Sequence, residues 1–157
     1  DENVKVVGIA GDSGFVSINT TKYLMNREVG FGRKLLQILE DLNISWDHMP
    51  TGIDDLSVIL RSKELTPIKE QEILKHLIQD LQVDYAEIEH DLSIIMIVGE
   101  NMKNQIGVTA TATKALSENN INIQMISQGS SEVSIMFVVN QEQEKQAIKA
   151  LYNVFFN

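Results

Sequence analysis

Apolar residues recur along this chain at two spacings. Phe31, Leu35, Ile38, Leu39 and Leu42 stand three or four apart behind Gly30, which predicts a helix, and Asn43 followed by Ile44 marks its stop and the return into a strand. Thr66 and Pro67 fit the N-cap and first turn of a second helix carrying Ile73, Leu74, Leu77, Ile78 and Leu81. A third helix presents Val108, Ala112, Ala115 and Leu116, whose smaller side chains predict close packing against another element, and a fourth presents Ala147, Ile148, Leu151, Tyr152 and Phe155. Between them lie β-branched runs that read as strands at 4–9, 15–20, 44–49, 56–60, 83–88, 92–98, 121–127 and 133–139. Gly52 and Gly129 sit where two of these strands would join in a hairpin, and each is expected to supply a positive φ.

The pattern occurs twice. Residues 25–60 slide without a gap onto 102–137, which brings Gly30 onto Gly107, Leu39 onto Leu116, Asn43 onto Asn120, Ile44 onto Ile121 and Ser57 onto Ser134. A repeat fixes the structural unit before any single residue is interpreted. Each copy of about 75 residues lies near the lower size for an independent core, so each is expected to need its neighbour. The order strand, helix, strand, strand, helix, strand predicts the split βαβ, ferredoxin-like architecture: an α+β fold of antiparallel sheets with helices on one face. Copy two ends after its second helix and lacks a last strand, whereas the strand at 4–9 has no place in copy one. The economical arrangement inserts the first copy within the second, giving one domain at 14–88 and another from 1–13 plus 89–157. Truncating residues 1–10 is then expected to damage the C-terminal unit.

Composition narrows the chemistry. Thirteen basic and 22 acidic side chains leave a net charge of −9, which disfavours a nucleic-acid partner and suits a cationic small ligand. An RNA-binding sheet would also need exposed aromatics on its central strands, and none is apparent. Cysteine is absent, which removes disulfides, thiolate nucleophiles and sulfur metal sites, and His48, His76 and His90 show no metal-ligand spacing. The longest apolar run, near 94–98, is far short of a membrane span, so a cytoplasmic location and no membrane partner are expected. No Ser-His-Asp set supports a free-standing enzyme.

Three blocks carry a family resemblance. The segment 22–35 (Lys22-Tyr-Leu-Met-Asn-Arg-Glu-Val-Gly-Phe-Gly-Arg-Lys-Leu35), the stretch Asn43-Ile-Ser-Trp-Asp47 and the stretch Asp54-Asp-Leu-Ser-Val58 together resemble the first ACT domain of lysine-sensitive aspartate kinases. In the second copy Gly107-Val108, Asn120-Ile-Asn-Ile123 and residues 125–132 resemble the second ACT domain of those enzymes, so the resemblance spans essentially the whole chain. It implies two ACT domains and a homodimer formed through them. The amino-terminal catalytic domain of that family, with its Lys-Phe-Gly-Gly nucleotide motif, has no counterpart here. The chain is therefore expected to be a regulatory fragment without catalysis or cofactor of its own, ATP and magnesium belonging to the catalytic domain that would be its partner in the parent protein. The start at Asp1, without an initiating methionine, fits a trimmed piece.

The resemblance further implies that the first copy binds free lysine as a feedback inhibitor, at a site shared between two chains. Backbone N–H groups around Gly30, Phe31 and Gly32 suit the ligand's carboxylate. Asp47, Asp54 and Asp55 suit its two ammonium groups, while Met25 and Leu56 would contact the stem. Glu28 stands where relatives commonly carry a small hydroxyl residue. Each assignment has a structural alternative: aspartates flanking a turn hydrogen-bond local backbone, Gly30 and Gly32 shape the turn, and Met25 belongs to the core. The second copy has Gln124, Ser131 and Glu132 in place of the three aspartates. Its Asn120, Ile121 and Gln128 could imitate a threonine-binding set, so a response to threonine, alone or with lysine, is one alternative. A structural, dimer-supporting role is the reading preferred for that copy, and a ligand-free assembly module is the rival for the whole chain.

Overall fold

The computed structural model describes residues 5–100, 106–129 and 134–157. The elements run β1 (Lys5–Thr21), α1 (Phe31–Asp41), β2 (Asp55–Arg61), α2 (Pro67–Gln79), β3 (Tyr85–Glu100), α3 (Val108–Glu118), β4 (Met125–Ser127), β5 (Ser134–Asn140) and α4 (Glu144–Phe156). The chain divides into two compact units, residues 14–90 and residues 1–13 with 91–157.

In the 14–90 unit the strand order is β2, β1, β3, with β2 antiparallel to β1 in the register Phe15 to Arg61 through Thr21 to Asp55. Alternation along β1 sends Val16 and Ile18 into a core shared with Val58 and Leu60 of β2. The same core takes Phe31, Leu35, Ile38 and Leu39 from α1 and Ile73 and Leu77 from α2, so both helices pack on one face. α2 begins as expected: the Thr66 side chain accepts from the Lys69 N–H at 3.2 Å, and Pro67 occupies the first turn.

In the other unit the order is β1, β3, β5, β4, with β5 antiparallel to both of its neighbours. Ile95 and Ile97 of β3 and Ile135, Phe137 and Val139 of β5 meet Val108, Ala112, Ala115 and Leu116 of α3 and Ala147, Ala150 and Leu151 of α4.

The 77-residue repeat reappears as backbone geometry. Gly30 and Gly107, both in the left-handed region at φ 82° and 94°, precede α1 and α3, and neither helix has a side-chain cap. At the other end Asn43 and Asn120 both adopt φ 57°. The N–H groups of Asn43 and Ile44 donate to Glu40 and Leu39, and those of Asn120 and Ile121 donate to Ser117 and Leu116. This is a Schellman stop with asparagine in the left-handed position, made twice.

Several expectations from the sequence are corrected. Residues 5–9 and the run at 15–20 form one strand, β1, and the runs at 83–88 and 92–98 fall largely in β3, which starts at Tyr85. Each long strand passes through a residue of positive φ, Gly14 at 82° and Asp91 at 57°. The run at 44–49 is no regular strand: the N–H groups of Asp47 and His48 both donate to the Ile59 carbonyl, at 2.8 and 3.2 Å, so two residues oppose one. Pro50 then supplies a carbonyl to the Ser57 N–H but has no N–H to return. In the second unit the 121–127 run is strand only over Met125–Ser127, with the Gln124 N–H also donating to the Val138 carbonyl at 2.8 Å. Neither Gly52 nor Gly129 takes a positive φ. A Cβ at Gly52 would meet only the end of the exposed Asp55 side chain, which can turn aside. Val4, Met102, Ser131, Glu132 and Val133 lie outside the described residues.

Candidate functional site

The candidate residues of the first copy gather at one end of the 14–90 unit, where β1 gives way to a loop, α1 begins and β2 starts. The register places Thr20 beside Leu56 and Thr21 beside Asp55, and the Lys22 N–H donates to the Asp54 carbonyl at 2.9 Å. From Lys22 the chain turns through Leu24, held at φ 60°, into a short 3-10 turn at Met25–Arg27 and on to Gly30. The Phe31 N–H is taken by the Glu28 carbonyl at 3.3 Å, which corrects the expectation that it stands open. Lys34 is the first α1 residue to bond back in helical fashion, to Gly30 at 3.0 Å, so helical geometry gives Gly32 and Arg33 no acceptor for their N–H groups. The loop and the start of β2 thus bring Met25, Glu28, Gly30, Phe31 and Gly32 to the same end as Asp54, Asp55 and Leu56.

The side chains divide sharply in environment. Met25, Phe31 and Leu56 are core residues, each 5% exposed or less. Asp54 is half-buried, and its Oδ1 is shut off from solvent with no hydrogen-bond partner among the described residues. Glu28 Oε2 and Thr20 Oγ1 are orphaned in the same way, Thr20 being only 1% exposed. Three buried acceptors without partners on elements that meet at one end is unusual, since a buried polar atom normally finds one. Asp55 is exposed and lies against Gly52. Asp47 stands apart: it is exposed on the outer edge at the level of Ile59, four residues along β2 from Asp55, roughly 13 Å at the usual rise of a strand.

Sequence reasoning missed Lys22. Its ammonium donates to Glu28 Oε1 at 2.6 Å and to the Leu81 carbonyl at 2.7 Å, and it stands 5.8 Å from the centre of the Phe31 ring. The hydrogen bond from Lys22 is the largest influence on Glu28, with the charges of Lys22 and Lys34 adding to it, and together they outweigh desolvation to hold the Glu28 carboxyl below its ordinary value. A signal for this contact was present: a carboxylate in place of a small hydroxyl calls for a counter-charge, and Lys22 is on the same loop.

In the second unit Asn120 is accounted for by the α3 stop, and its carbonyl accepts from Gln143 Nε2 at 3.2 Å. Ile121 is buried in the core, whereas Gln128 is exposed just beyond β4, which lies between it and Asn120. Two concavities of the 14–90 unit lie elsewhere. One of about 260 Å3 between α1 and α2 is edged by Arg33, Asp41, His76 and Asp80, and a shallower one of about 580 Å3 runs past Trp46 and Glu64. Neither includes a candidate residue. Among the described residues no cluster of His, Asp or Glu could hold a metal ion, and no helix is long and apolar enough to cross a membrane.

Comparison with known proteins fits this architecture. Residues 95–155 match the family described as ACT domain. Aspartokinase 3 of Bacillus subtilis is 52% identical over 154 residues, an alignment covering 98% of this chain and 34% of that enzyme. The crystal structure of aspartate kinase from Clostridium acetobutylicum, described as an allosteric enzyme, superposes with a TM-score of 0.90 at 37% identity, covering 96% of this chain and 34% of that one. Aspartokinase III of E. coli, solved with lysine and aspartate in the T-state, superposes over 100% of this chain and 35% of that one with a TM-score of 0.80. At 23% identity it shows the shared fold alone. The chain thus spans about one third of the relatives it matches, and it belongs to the ACT regulatory region of the aspartate kinases.

Proposed function

We propose that the 14–90 unit binds free lysine and that binding lowers the activity of an attached aspartate kinase catalytic domain. That domain would transfer phosphate from ATP to the side-chain carboxylate of aspartate in the cytoplasm. The observation that carries this reading is the group of orphaned buried acceptors, Asp54 Oδ1, Glu28 Oε2 and Thr20 Oγ1, beside a helix start whose first N–H groups have no helical acceptor. A free diamino acid has the complementary parts: ammonium donors for the acceptors and a carboxylate for the N–H groups. Lysine bound to the E. coli aspartokinase III that shares this fold is consistent with that choice.

The effector works by linkage. Lysine inhibits a distant site only to the extent that it binds one global conformation more tightly, and such couplings are about 1–3 kcal/mol. A site completed by a second copy would supply the difference, with Asp47, exposed on the outer edge, as the residue offered to a neighbouring chain. The unit of 1–13 and 91–157 supports packing and dimer contacts. Calorimetry of the chain with lysine, and with threonine as comparator, tests the reading. Heat and a thermal upshift with lysine support it; no response to millimolar lysine removes it, and a response to threonine alone transfers the role to that amino acid.

A further inference from the structure

We propose that Lys22 is a specificity-determining residue of this site, setting how strongly it selects for a second positive charge on the effector. The proposal rests on the effector reading above.

The Lys22 ammonium is not a roaming surface charge. It is held from two sides by Glu28 Oε1 and the Leu81 carbonyl, with its own side chain 20% and that of Glu28 29% exposed. The backbone around it is fixed as well: its N–H donates to the Asp54 carbonyl, its carbonyl accepts from Met25 at 3.0 Å, and the neighbouring Tyr23 N–H donates to Asp84 Oδ2 at 2.7 Å. Glu28 therefore enters the site as half of a neutral pair. Its orphaned Oε2 accepts a hydrogen bond from a ligand while the pair adds no net charge. Asp54 has an orphaned oxygen and forms no ion pair shown among the described residues, so it keeps its own negative charge.

Charge matching follows from that asymmetry. With Lys22 in place, it and the carboxylates of Glu28 and Asp54 together carry one net negative charge, which suits an amino acid whose side chain adds one ammonium. Without Lys22 the same two carboxylates carry two, and discrimination in favour of cationic side chains rises. A purely structural lysine would behave differently, since loosening the loop weakens every amino acid alike.

The experiment compares the affinity of the 157-residue chain for lysine and for norleucine, which has the stem without the second ammonium, at pH 8 by calorimetry. In Lys22→Met the ratio of lysine to norleucine affinity is expected to rise about tenfold, the scale of one added charge-assisted contact, while Lys22→Arg keeps the ratio of the unsubstituted chain. Where norleucine is too weak to measure, the salt dependence of lysine affinity reads the same change, becoming steeper in Lys22→Met alone. Both ligands weakening in proportion, or an unchanged salt slope, overturns the role of Lys22 and leaves the effector reading standing. Failure of the unsubstituted chain to bind lysine overturns both.

Discussion

Asp54→Ala separates the demands of folding from those of binding, because the two effects have opposite sign. Asp54 Oδ1 is buried without a partner in the folded chain, and an unsatisfied buried acceptor costs about 1–3 kcal/mol relative to the unfolded state, where water serves it. Only one of the two carboxylate oxygens is in that position, so the lower end, about 1 kcal/mol, is the appropriate figure. The backbone carbonyl of Asp54, which the Lys22 N–H uses, survives the substitution. Alanine is therefore expected to raise the stability of the ligand-free chain by about 1 kcal/mol, a Tm increase of about 2–4 °C for a chain of this size. With lysine present the order reverses. Loss of a hydrogen bond to a charged group costs about 1.5–3 kcal/mol of binding, or roughly ten- to a hundredfold in Kd, and the ligand-induced upshift shrinks accordingly. Urea unfolding and thermal melts with and without lysine measure both quantities. A variant that is less stable without ligand and keeps the full lysine upshift would refute the reasoning on both counts.

Other consequences follow from the geometry already given. Gly30→Ala places a Cβ at φ 82° and is expected to destabilise by about 1–2 kcal/mol, seen as a lower urea midpoint at unchanged slope. Asn43→Ala should cost about 1 kcal/mol because the Schellman stop needs φ 57°, whereas Asn43→Gly should be neutral or slightly stabilising. Thr66→Ala removes the oxygen that caps α2 and is expected to cost about 1 kcal/mol. Glu28 titrates below its ordinary 4.5 in the folded chain. The unfolded chain therefore takes up the proton at higher pH, and the stability supplied by the Lys22 pair, complete above 4.5, is lost as pH falls through the lower folded value. Acid unfolding of Lys22→Met should lack that component; an identical acid limb in the two proteins would contradict it.

Much of the fold was legible because the signals were periodic. The α1 stripe and the asparagine stop recur 77 residues later with the same hydrogen bonds, so one reading served twice. What misled was punctuation. Polar and glycine residues at 11–14 fell between two expected strands, yet β1 continues through them with Gly14 at positive φ. The hairpin glycine was read as a φ requirement, yet Gly52 takes no positive φ, and the doubled bond to the Ile59 carbonyl leaves no trace in the sequence. At the site, residue types were legible but pairings were not. Glu28 and Lys22 are six residues apart across a turn, and the Leu81 carbonyl that shares the ammonium lies 59 residues away, a distance that no local pattern reports.

The two long strands carry a lesson for anyone wishing to move the 14–90 unit into another protein. Because β1 supplies residues up to Ser13 to one unit and from Gly14 onward to the other, and β3 changes allegiance at Asp91, the 14–90 portion is bounded by two interrupted strands rather than by a linker. A graft would need a host offering a pair of strand ends, with residues tolerant of left-handed backbone at both seams.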